Sequence, residues 1–246
     1  MKDLIGKVAL VTGGSRGMGA AIVKRFAAQG ATVVLTYSRS SEAAEQVVAE
    51  IEQLGQKALA VAVDSAEPAA VMQVIEKTVA DLGRLDILVN NAGVFTAKPI
   101  DALTLNDYEE TMDVNVRAVF VACQTASAHM QPGGRIITIG SNLAERVPMP
   151  GASLYSMSKA ALVGFTKGLA RDLGSRGITA NIVHPGSTDT AMNPADGEYA
   201  ESQRDRMAIP QFCQPDDIAG LVTWLASDES RFVTGAGFTI DSGTNA

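Results

Sequence analysis

A tyrosine and a lysine four residues apart are the side chains best suited to chemistry. Tyr155 and Lys159 lie in a segment with a helical pattern, and positions i and i+4 of a helix share one face, so a phenol and an ammonium can point into one cleft. A phenol with a pKa near ~10 is a poor acid–base catalyst at neutral pH, and an adjacent ammonium lowers that pKa. Ser141, after a predicted strand, adds a hydroxyl that could polarise a carbonyl. This spacing is common by chance. The elements around Tyr155 and Lys159 must therefore indicate whether the two side chains face a ligand-binding cleft.

A glycine-rich turn follows the first predicted strand. Residues 12–19 read TGGSRGMG and lead directly into a predicted helix. Such glycines allow a tight turn and close approach of a pyrophosphate, and the free N–H groups of the helix N-terminus attract phosphates. The spacing is G-x-x-x-G-x-G rather than the G-x-G-x-x-G of most Rossmann dehydrogenases. The turn predicts a dinucleotide phosphate site, with a purely structural tight connection as the alternative.

The same turn contains a formal match to the G-x-S-x-G nucleophile elbow of hydrolases. That interpretation makes Ser15 an acyl-transfer nucleophile, and His184 could serve as its base. The sequence has no HGGG-like oxyanion segment, and an elbow after the first strand leaves no earlier strand to supply one. Nucleotide binding is therefore favoured over ester hydrolysis.

The second predicted strand lacks the terminal acidic residue that usually binds the ribose 2′-hydroxyl of NAD. After Thr36 no acid occurs until Glu42. Arg16 and Arg39 could flank a 2′-phosphate and Ser38 could donate to it, since a guanidinium matches a phosphate through its fixed fork of donors. The alternative is that both arginines are only solvated surface residues. The sequence predicts NADP(H) as the cofactor.

Strands and helices must alternate along the chain to position these residues. The predicted strands are Lys7–Thr12, Ala31–Thr36, Lys57–Val63, Leu85–Asn90, Arg135–Gly140, Ile178–His184 and Ala236–Ile240. The predicted helices are Ala20–Gln29, Glu42–Leu54, Glu67–Leu82, Thr104–Met130, Ser153–Gly174 and Pro215–Ser227. Continuous apolar strands are typical of parallel sheets covered on both faces.

This alternation predicts an α/β fold: a Rossmann-type, doubly wound, seven-stranded parallel sheet with helices on both faces, as a single domain over residues 1–246. The aperiodic segment 187–214 is predicted to be a substrate loop or lid, because long loops in such folds tend to be functional.

Composition excludes several other classes of protein. The chain has 20 Lys and Arg against 27 Asp and Glu, a net charge of −7, so a nucleic acid or an anionic membrane is not the expected partner. Its apolar runs are far shorter than the ~20 residues of a membrane span. Two cysteines and two histidines are too few for a disulfide framework or a metal cage. Since the chain starts without a signal-like segment, we expect a cytoplasmic protein.

Taken in order, these motifs resemble the short-chain dehydrogenase/reductase family, close to its 3-oxoacyl-carrier-protein reductase branch. The resemblance extends from the first strand to Gly243. Its landmarks are Thr12–Gly19, Asp64, Asn90–Gly93, Asn115, Ser141, Tyr155, Lys159, Pro185, Gly186 and Thr190. The enoyl reductases of the same superfamily space the tyrosine and lysine more widely and fit less well.

The resemblance implies a role for each central residue. Tyr155 would donate a proton to the carbonyl oxygen as hydride arrives from the nicotinamide. Lys159 would hold the nicotinamide ribose and lower the pKa of Tyr155, and Ser141 would hydrogen-bond the carbonyl. Asn115 would hold a water that links Lys159 to solvent, unless it is an ordinary polar helix residue.

The cofactor and substrate contacts complete this set. Asp64 would accept from the adenine amino group, or instead cap the helix that begins near Pro68. The residue patterns and the resemblance together predict a set of cofactor-binding residues. These are Gly13, Ser15, Arg16, Gly17, Met18, Gly19, Tyr37, Ser38, Arg39, Asp64, Ser65, Asn91, Ala92, Gly93, Tyr155, Lys159, Pro185, Gly186, Thr188 and Thr190. Besides Ser141, the substrate-pocket candidates are Met149 and Met192, with core packing as the alternative for Met192.

The predicted function is NADPH-dependent reduction of a small ketone or aldehyde. A 3-oxoacyl thioester is the alternative substrate, disfavoured because no cluster of Arg or Lys marks a carrier-protein docking patch. Gly140 stands where many family members have a second serine, and the Ser141–Tyr155 interval is one residue longer than usual. These departures could reshape the substrate loop 142–154. The alternative outside the enzymes is a protein that senses a nucleotide and has little turnover. The resemblance also implies a homotetramer built through the two long helices and the C-terminal strand, with Phe238 to Asp241.

Overall fold

A computed structural model describes residues 3–246. Its strands are β1 (Val8–Val11), β2 (Thr32–Tyr37), β3 (Ala58–Ala62), β4 (Ile87–Asn90), β5 (Arg135–Ile139), β6 (Thr179–Pro185) and β7 (Gly237–Ile240). Its α-helices are α1 (Gly17–Ala28), α2 (Ser41–Gln53), α3 (Pro68–Leu82), α4 (Leu105–Met112), α5 (Ala118–His129), α6 (Ser153–Gly174), α7 (Ala200–Arg204) and α8 (Pro215–Ala226).

All seven strands form one parallel sheet in the order β3-β2-β1-β4-β5-β6-β7. The chain moves outward from β1 to β3 and then returns to place β4 on the other side of β1. Strand order therefore reverses between β1 and β4, and ligands of doubly wound sheets bind beyond the carboxyl ends of the strands at such a point. The predicted fold class is confirmed.

Alternate residues of the central strands face two separate apolar layers. In β1, Ala9 and Val11 pack toward α1, α2 and α8, whereas Leu10 packs toward α3, α5 and α6. The same alternation in β4 sends Val89 to the first layer and Leu88 to the second. Both faces of the sheet are covered, which explains why β1 and the first three residues of β4 are apolar.

One predicted helix contains a π-helical turn in the structure. The pattern over Thr104–Met130 predicts a long helix, and the chain is helical from Leu105 to His129, with the π turn Asp113–Arg117 between α4 and α5. The helix is confirmed, but the π turn, which inserts a residue, was not predicted. The short helix α7, inside the segment 187–214, was not expected either. The other predicted boundaries agree with the structure within about three residues.

The described residues contain neither a membrane-spanning helix nor a metal-binding group of side chains. No helix within residues 3–246 is both long and apolar enough to traverse a bilayer. Over the same residues, His, Cys, Asp and Glu side chains form no group of three or more placed to bind a metal ion. Cys123 and Cys213 are both buried free thiols.

Candidate active site

A cleft of about 710 Å³ opens at the carboxyl ends of β1, β2 and β4. It is lined by sixteen of the predicted residues: Gly13, Ser15, Arg16, Gly17, Met18, Gly19, Tyr37, Ser38, Arg39, Asp64, Ser65, Asn91, Ala92, Gly93, Thr190 and Met192. The structure thus brings residues from five separate parts of the chain to one crevice. Pro185, Gly186 and Thr188 lie outside its lining, as do Ser141, Met149, Tyr155 and Lys159.

The glycine turn forms a compact cradle at the start of α1. The side-chain amide of Asn91 donates to the carbonyl oxygens of Thr12 (2.9 Å) and Gly13 (3.0 Å). A Cβ on Gly19 would lie 2.3 Å from the Gly13 oxygen and 2.6 Å from Asn91 Nδ2, so no other residue fits there. Gly17 has φ +54°, a left-handed conformation that favours glycine. Gly17 and Gly19 are therefore required as glycines at this helix N-terminus.

Two arginines stand at the mouth of the cleft. Arg16 is the N-cap of α1 and Arg39 follows β2; both are exposed. Within residues 3–246 neither guanidinium pairs with a carboxylate. Ser38 lies between them on the same rim. The donors needed for a phosphate group are present and not engaged elsewhere.

Asp64 does not cap α3. Its Oδ1 accepts from the Ala66 N–H at 2.9 Å, whereas the N-cap of α3 is Glu67, whose side chain makes no capping hydrogen bond. The carboxylate of Asp64 therefore stabilises the turn before the helix and stays at the edge of the cleft. The alternative interpretation of Asp64 as a helix cap is wrong.

Lys159 is buried among backbone atoms beside the phenol of Tyr155. It is 4% exposed, its Nζ donates to the Ile139 carbonyl oxygen at 2.9 Å, and it lies 5.7 Å from the centre of the Tyr155 ring. Burial lowers the pKa of Lys159 to about 8, because a buried ammonium loses its hydration. A Cβ on Gly93 would lie 3.5 Å from Nζ, so this ammonium adjoins the cleft through Gly93.

The phenol of Tyr155 differs from the sequence expectation. Burial raises the pKa of Tyr155, and its hydrogen bond with the Ser141 side chain offsets this only in part. In the protein without cofactor the pKa of this phenol is raised overall, because loss of hydration around the phenolate dominates; the lowering of this pKa by Lys159 stays a prediction. Ser141 is buried at the end of β5, and its Oγ accepts from the Leu143 N–H at 3.2 Å.

Asn115 lies in the π turn and is completely buried. Its Oδ1 accepts from the Val94 N–H at 2.9 Å, and its Nδ2 donates to the Val94 carbonyl oxygen and to Ser158 Oγ, both at 3.0 Å. These bonds join the loop after β4 to helix α6, one residue before Lys159. Asn115 is therefore not an ordinary polar helix residue.

An aromatic neighbour of Tyr155 was missed by the sequence analysis. The Phe95 ring meets the Tyr155 ring edge to face, with centroids 4.9 Å apart and planes at 82°. Phe95 is only two residues beyond the Asn91–Gly93 motif, and that proximity was the available signal. Met192 is 63% exposed, which rejects core packing for it, and Met149 is half-buried.

The segment after β6 approaches the glycine turn at one point. A Cβ on Gly17 would lie 3.3 Å from Thr190 Cγ2, so Thr190 borders the cradle. Gly186 packs against Asp241, and Thr188 Oγ1 donates to the Gly186 carbonyl oxygen at 3.1 Å. Thr188 and Gly186 therefore pack next to the end of β7, outside the lining of the cleft.

The structure does not pair Ser15 with His184, the base that the hydrolase interpretation needs. The ring of His184 bonds through Nδ1 to the Ser141 carbonyl oxygen at 2.9 Å. The imidazole thus belongs to the β5–β6 end of the site, and the hydrolase interpretation receives no support from the structure.

Comparison with known proteins gives matches over nearly the whole chain. A family model described as enoyl-(acyl carrier protein) reductase matches residues 13–245. The chain is 44% identical, over 100% of both sequences, to the cyclic-di-GMP-binding biofilm dispersal mediator protein of Escherichia coli. It is 39% identical to the 3-oxoacyl-[acyl-carrier-protein] reductase of Synechocystis, covering 99% of this chain and 98% of that protein. A short-chain dehydrogenase from Burkholderia cenocepacia, solved in complex with NADP, is 59% identical, with a TM-score of 0.98 over 99% of this chain and 100% of the other.

Proposed function

This chain belongs to the short-chain dehydrogenase/reductase family, a family of oxidoreductases, and we propose that it uses NADPH to reduce the carbonyl group of a small ketone or aldehyde. The observation that carries the proposal is the meeting of Tyr155, Ser141 and Lys159 beside a cleft whose mouth holds Arg16 and Arg39. The Tyr155–Lys159 spacing of four favours a carbonyl over an enoyl substrate.

The cleft fits a dinucleotide with a 2′-phosphate. The cradle formed by Gly13, Gly19 and Asn91 leaves the N-terminus of α1 open for a pyrophosphate. The free guanidinium groups of Arg16 and Arg39 suit a further phosphate, which NADP carries and NAD lacks. The Burkholderia relative was solved with NADP. When bound, NADPH supplies the hydride of the reaction.

Tyr155 acts as the proton donor in this scheme. Because burial raises the pKa of Tyr155, the phenol is protonated at neutral pH and can give its proton to the carbonyl oxygen. The Ser141 hydroxyl donates a hydrogen bond to the same oxygen as negative charge develops on it. The positive charge of Lys159 stabilises the phenolate that remains, and Asn115 keeps the surrounding backbone in place.

An apolar, uncharged substrate suits the surroundings of Tyr155. Phe95 packs against the phenol, and Met192 lines the neighbouring cleft. We propose that residues 187–214, part of one domain spanning 1–246, form a substrate loop, with Met149 on the opposite wall. The sequence shows no cluster of Arg or Lys that marks a carrier-protein docking patch, and the net charge is −7, so a small molecule is favoured over a 3-oxoacyl thioester.

We also propose a homotetramer that works in the cytoplasm. Apolar side chains are exposed on α4, α5 and α6, among them Leu105, Phe120 and Met157, and β7 is an edge strand of the sheet. Faces of this kind suit contacts between copies of the chain. The two free thiols, Cys123 and Cys213, suit a reducing compartment.

The deciding experiment follows NADPH absorbance over a panel of ketones and aldehydes. Wild type is compared with Tyr155→Phe and with Tyr108→Phe, which removes the same hydroxyl from an exposed residue of α4. Turnover in wild type and Tyr108→Phe, lost in Tyr155→Phe, supports the proposal. Turnover that survives in Tyr155→Phe contradicts it.

A nucleotide sensor is the second candidate, favoured by the 44% identity to a protein named for cyclic-di-GMP binding. A pure sensor has no need of Tyr155, Ser141 and Lys159 together, which argues against it. Calorimetric titration with NADPH and with cyclic di-GMP separates the two. Tight binding of either nucleotide with no turnover on any carbonyl compound would favour the sensor.

A further inference from the structure

A buried imidazole lies directly behind the serine of the proposed active site. His184 belongs to β6 and is 1% exposed. Its Nδ1 lies 2.9 Å from the Ser141 carbonyl oxygen. A carbonyl oxygen only accepts hydrogen bonds, so Nδ1 must carry a proton, and the neutral ring is then the Nδ1–H tautomer.

Two glycines make the space for this ring. A Cβ on Gly140 would lie 2.7 Å from Nδ1 and 2.9 Å from Cε1 of His184, and a Cβ on Gly237 would lie 3.2 Å from Nε2. Because the buried ring is enclosed from both strands, it has no room to retreat from a side chain at position 140. The imidazole fills the space beside Gly140, so the side chain of a second serine does not fit at this position.

The ring helps to fix the end of β5. The Ile139 carbonyl accepts from Lys159, and the Gly140 N–H donates to the Val183 carbonyl at 2.7 Å. One residue on, the Ser141 carbonyl accepts from His184 and from the Ala144 N–H at 3.0 Å. Ala144 belongs to the loop that Ser141 begins, so His184 is the bond that ties this carbonyl to the sheet.

The charge state of the ring suits this position. Burial lowers the pKa of His184, and the nearby charge of Lys159 lowers it further, while the Ser141 hydrogen bond and Glu145 act in the opposite direction. A neutral ring adds no second positive charge next to Lys159.

We propose that His184 is the positioning residue for Ser141: it donates its Nδ1–H to the Ser141 carbonyl oxygen and so aims the serine hydroxyl at the carbonyl oxygen of the substrate. Gly140 and Gly237 contribute to this arrangement only because each leaves room that the ring needs. The inference rests on the proposed carbonyl reduction, and its tests are chosen to fail separately from it.

The first test compares His184→Leu with His184→Asn. Leucine fills the space without a donor, whereas the asparagine Nδ2 takes the place of Nδ1. We expect kcat to fall on the order of 10- to 100-fold in the leucine variant, as for a slightly misplaced catalytic group, and to recover in the asparagine variant. NADPH affinity, measured by fluorescence titration, should stay unchanged in both.

Matched controls exclude a general effect of losing an imidazole. His129→Leu and His129→Asn make the same changes at the end of α5 and should match wild type. Wild-type kcat in His184→Leu, or equal losses in both His184 variants that simply follow their melting temperatures, would overturn the proposal.

The second test needs no turnover and so is independent of the proposed function. The ¹⁵N shifts of the imidazole nitrogens in wild type, assigned with His129→Gln, should show the Nδ1–H tautomer for His184; the Nε2–H tautomer would overturn the inference. The melting temperature should fall sharply in Gly140→Ala but little when His184→Ala is already present. Additive losses would mean that the ring and position 140 do not compete for space.

Discussion

The Lys159 ammonium lies 5.7 Å from the centre of the Tyr155 ring and is held there by the Ile139 carbonyl oxygen, 2.9 Å from Nζ. This geometry places a positive charge next to the phenol while burial works against ionisation of both groups: the pKa of Lys159 is lowered and that of Tyr155 is raised. A protonated phenol beside a cation is the state required of a proton donor in carbonyl reduction.

The first prediction concerns the pH dependence of the reaction. Below pH about 8 Lys159 is charged and Tyr155 protonated, so kcat/KM for reduction should be flat near neutrality. It should decline as pH rises through about 8, since Lys159 then loses the charge that stabilises the phenolate. Initial rates between neutral and alkaline pH test this, because kcat/KM reports the free enzyme. Lys159→Met should be slower on the order of 100-fold and lack the step at this pH; a step that persists in this variant assigns it to another group.

The same lysine should make stability depend on pH. The folded pKa, about 8, lies below the usual lysine value of 10.5, so between these values the unfolded chain retains a proton that the folded protein has released. The free energy of unfolding of the cofactor-free protein should therefore rise with pH in this window, by at most ~1.4 kcal/mol per pH unit. Urea unfolding at several pH values measures it. The difference between wild type and Lys159→Met isolates this contribution, and an identical pH slope in both proteins would contradict the assignment.

The third prediction concerns the choice of cofactor. Replacing Arg39 or Arg16 by glutamine removes a charged donor to the 2′-phosphate, and a charged hydrogen bond contributes about 1.5–3 kcal/mol. The Kd for NADPH should rise roughly 10- to 100-fold, while that for NADH should barely change. Arg171→Gln, on the exposed surface of α6, is the control. Equal losses for both nucleotides would mean that the arginines do not recognise the 2′-phosphate.

The sequence was sufficient for the parts of the structure that depend on local pattern. β1 and the first three residues of β4 are apolar because both faces of the sheet are covered. The glycines of Gly13–Gly19 are those that a tight turn at the start of a helix needs. These features identified the sheet, the cleft and the Tyr155–Lys159 pair. The strand alternation alone was enough to predict the fold class.

The features that were missed depend on contacts between distant parts of the chain. His184 and Ser141 are 43 positions apart, and the close approach of the ring to Gly140 exists only because β5 and β6 are neighbours. The π turn around Asn115 was hidden because the apolar periodicity continues through it. The raised pKa of Tyr155 follows from the packing around the phenol, which residue spacing does not specify.

The fourth prediction concerns Asn115. Asn115→Ala would leave both polar backbone groups of Val94 without their partner and remove one of the two hydrogen bonds of the Ser158 hydroxyl, and each unsatisfied buried group costs about 1–3 kcal/mol. We expect the free energy of unfolding to fall by roughly 2–5 kcal/mol, measured by urea unfolding. Asn106→Ala, whose exposed side chain bonds only to Glu110, should change it by less than about 0.5 kcal/mol. Equal effects of the two substitutions would mean that these buried bonds contribute little.

The last prediction concerns Phe95, whose ring contacts the phenol edge to face. Such an aromatic pair contributes about 0.5–1.5 kcal/mol beyond the area it buries, so Phe95→Ala should lower kcat roughly 3- to 10-fold by letting the Tyr155 ring move. KM for apolar ketones should rise at the same time, because in the proposed function the side chain next to Tyr155 also borders the substrate. Phe95→Tyr keeps the ring pair and should retain most of kcat, and Phe232→Ala, at an exposed phenylalanine, should change neither constant. Steady-state kinetics on one apolar ketone measures both; a rise in KM with unchanged kcat would mean that Phe95 contacts the substrate without orienting the phenol.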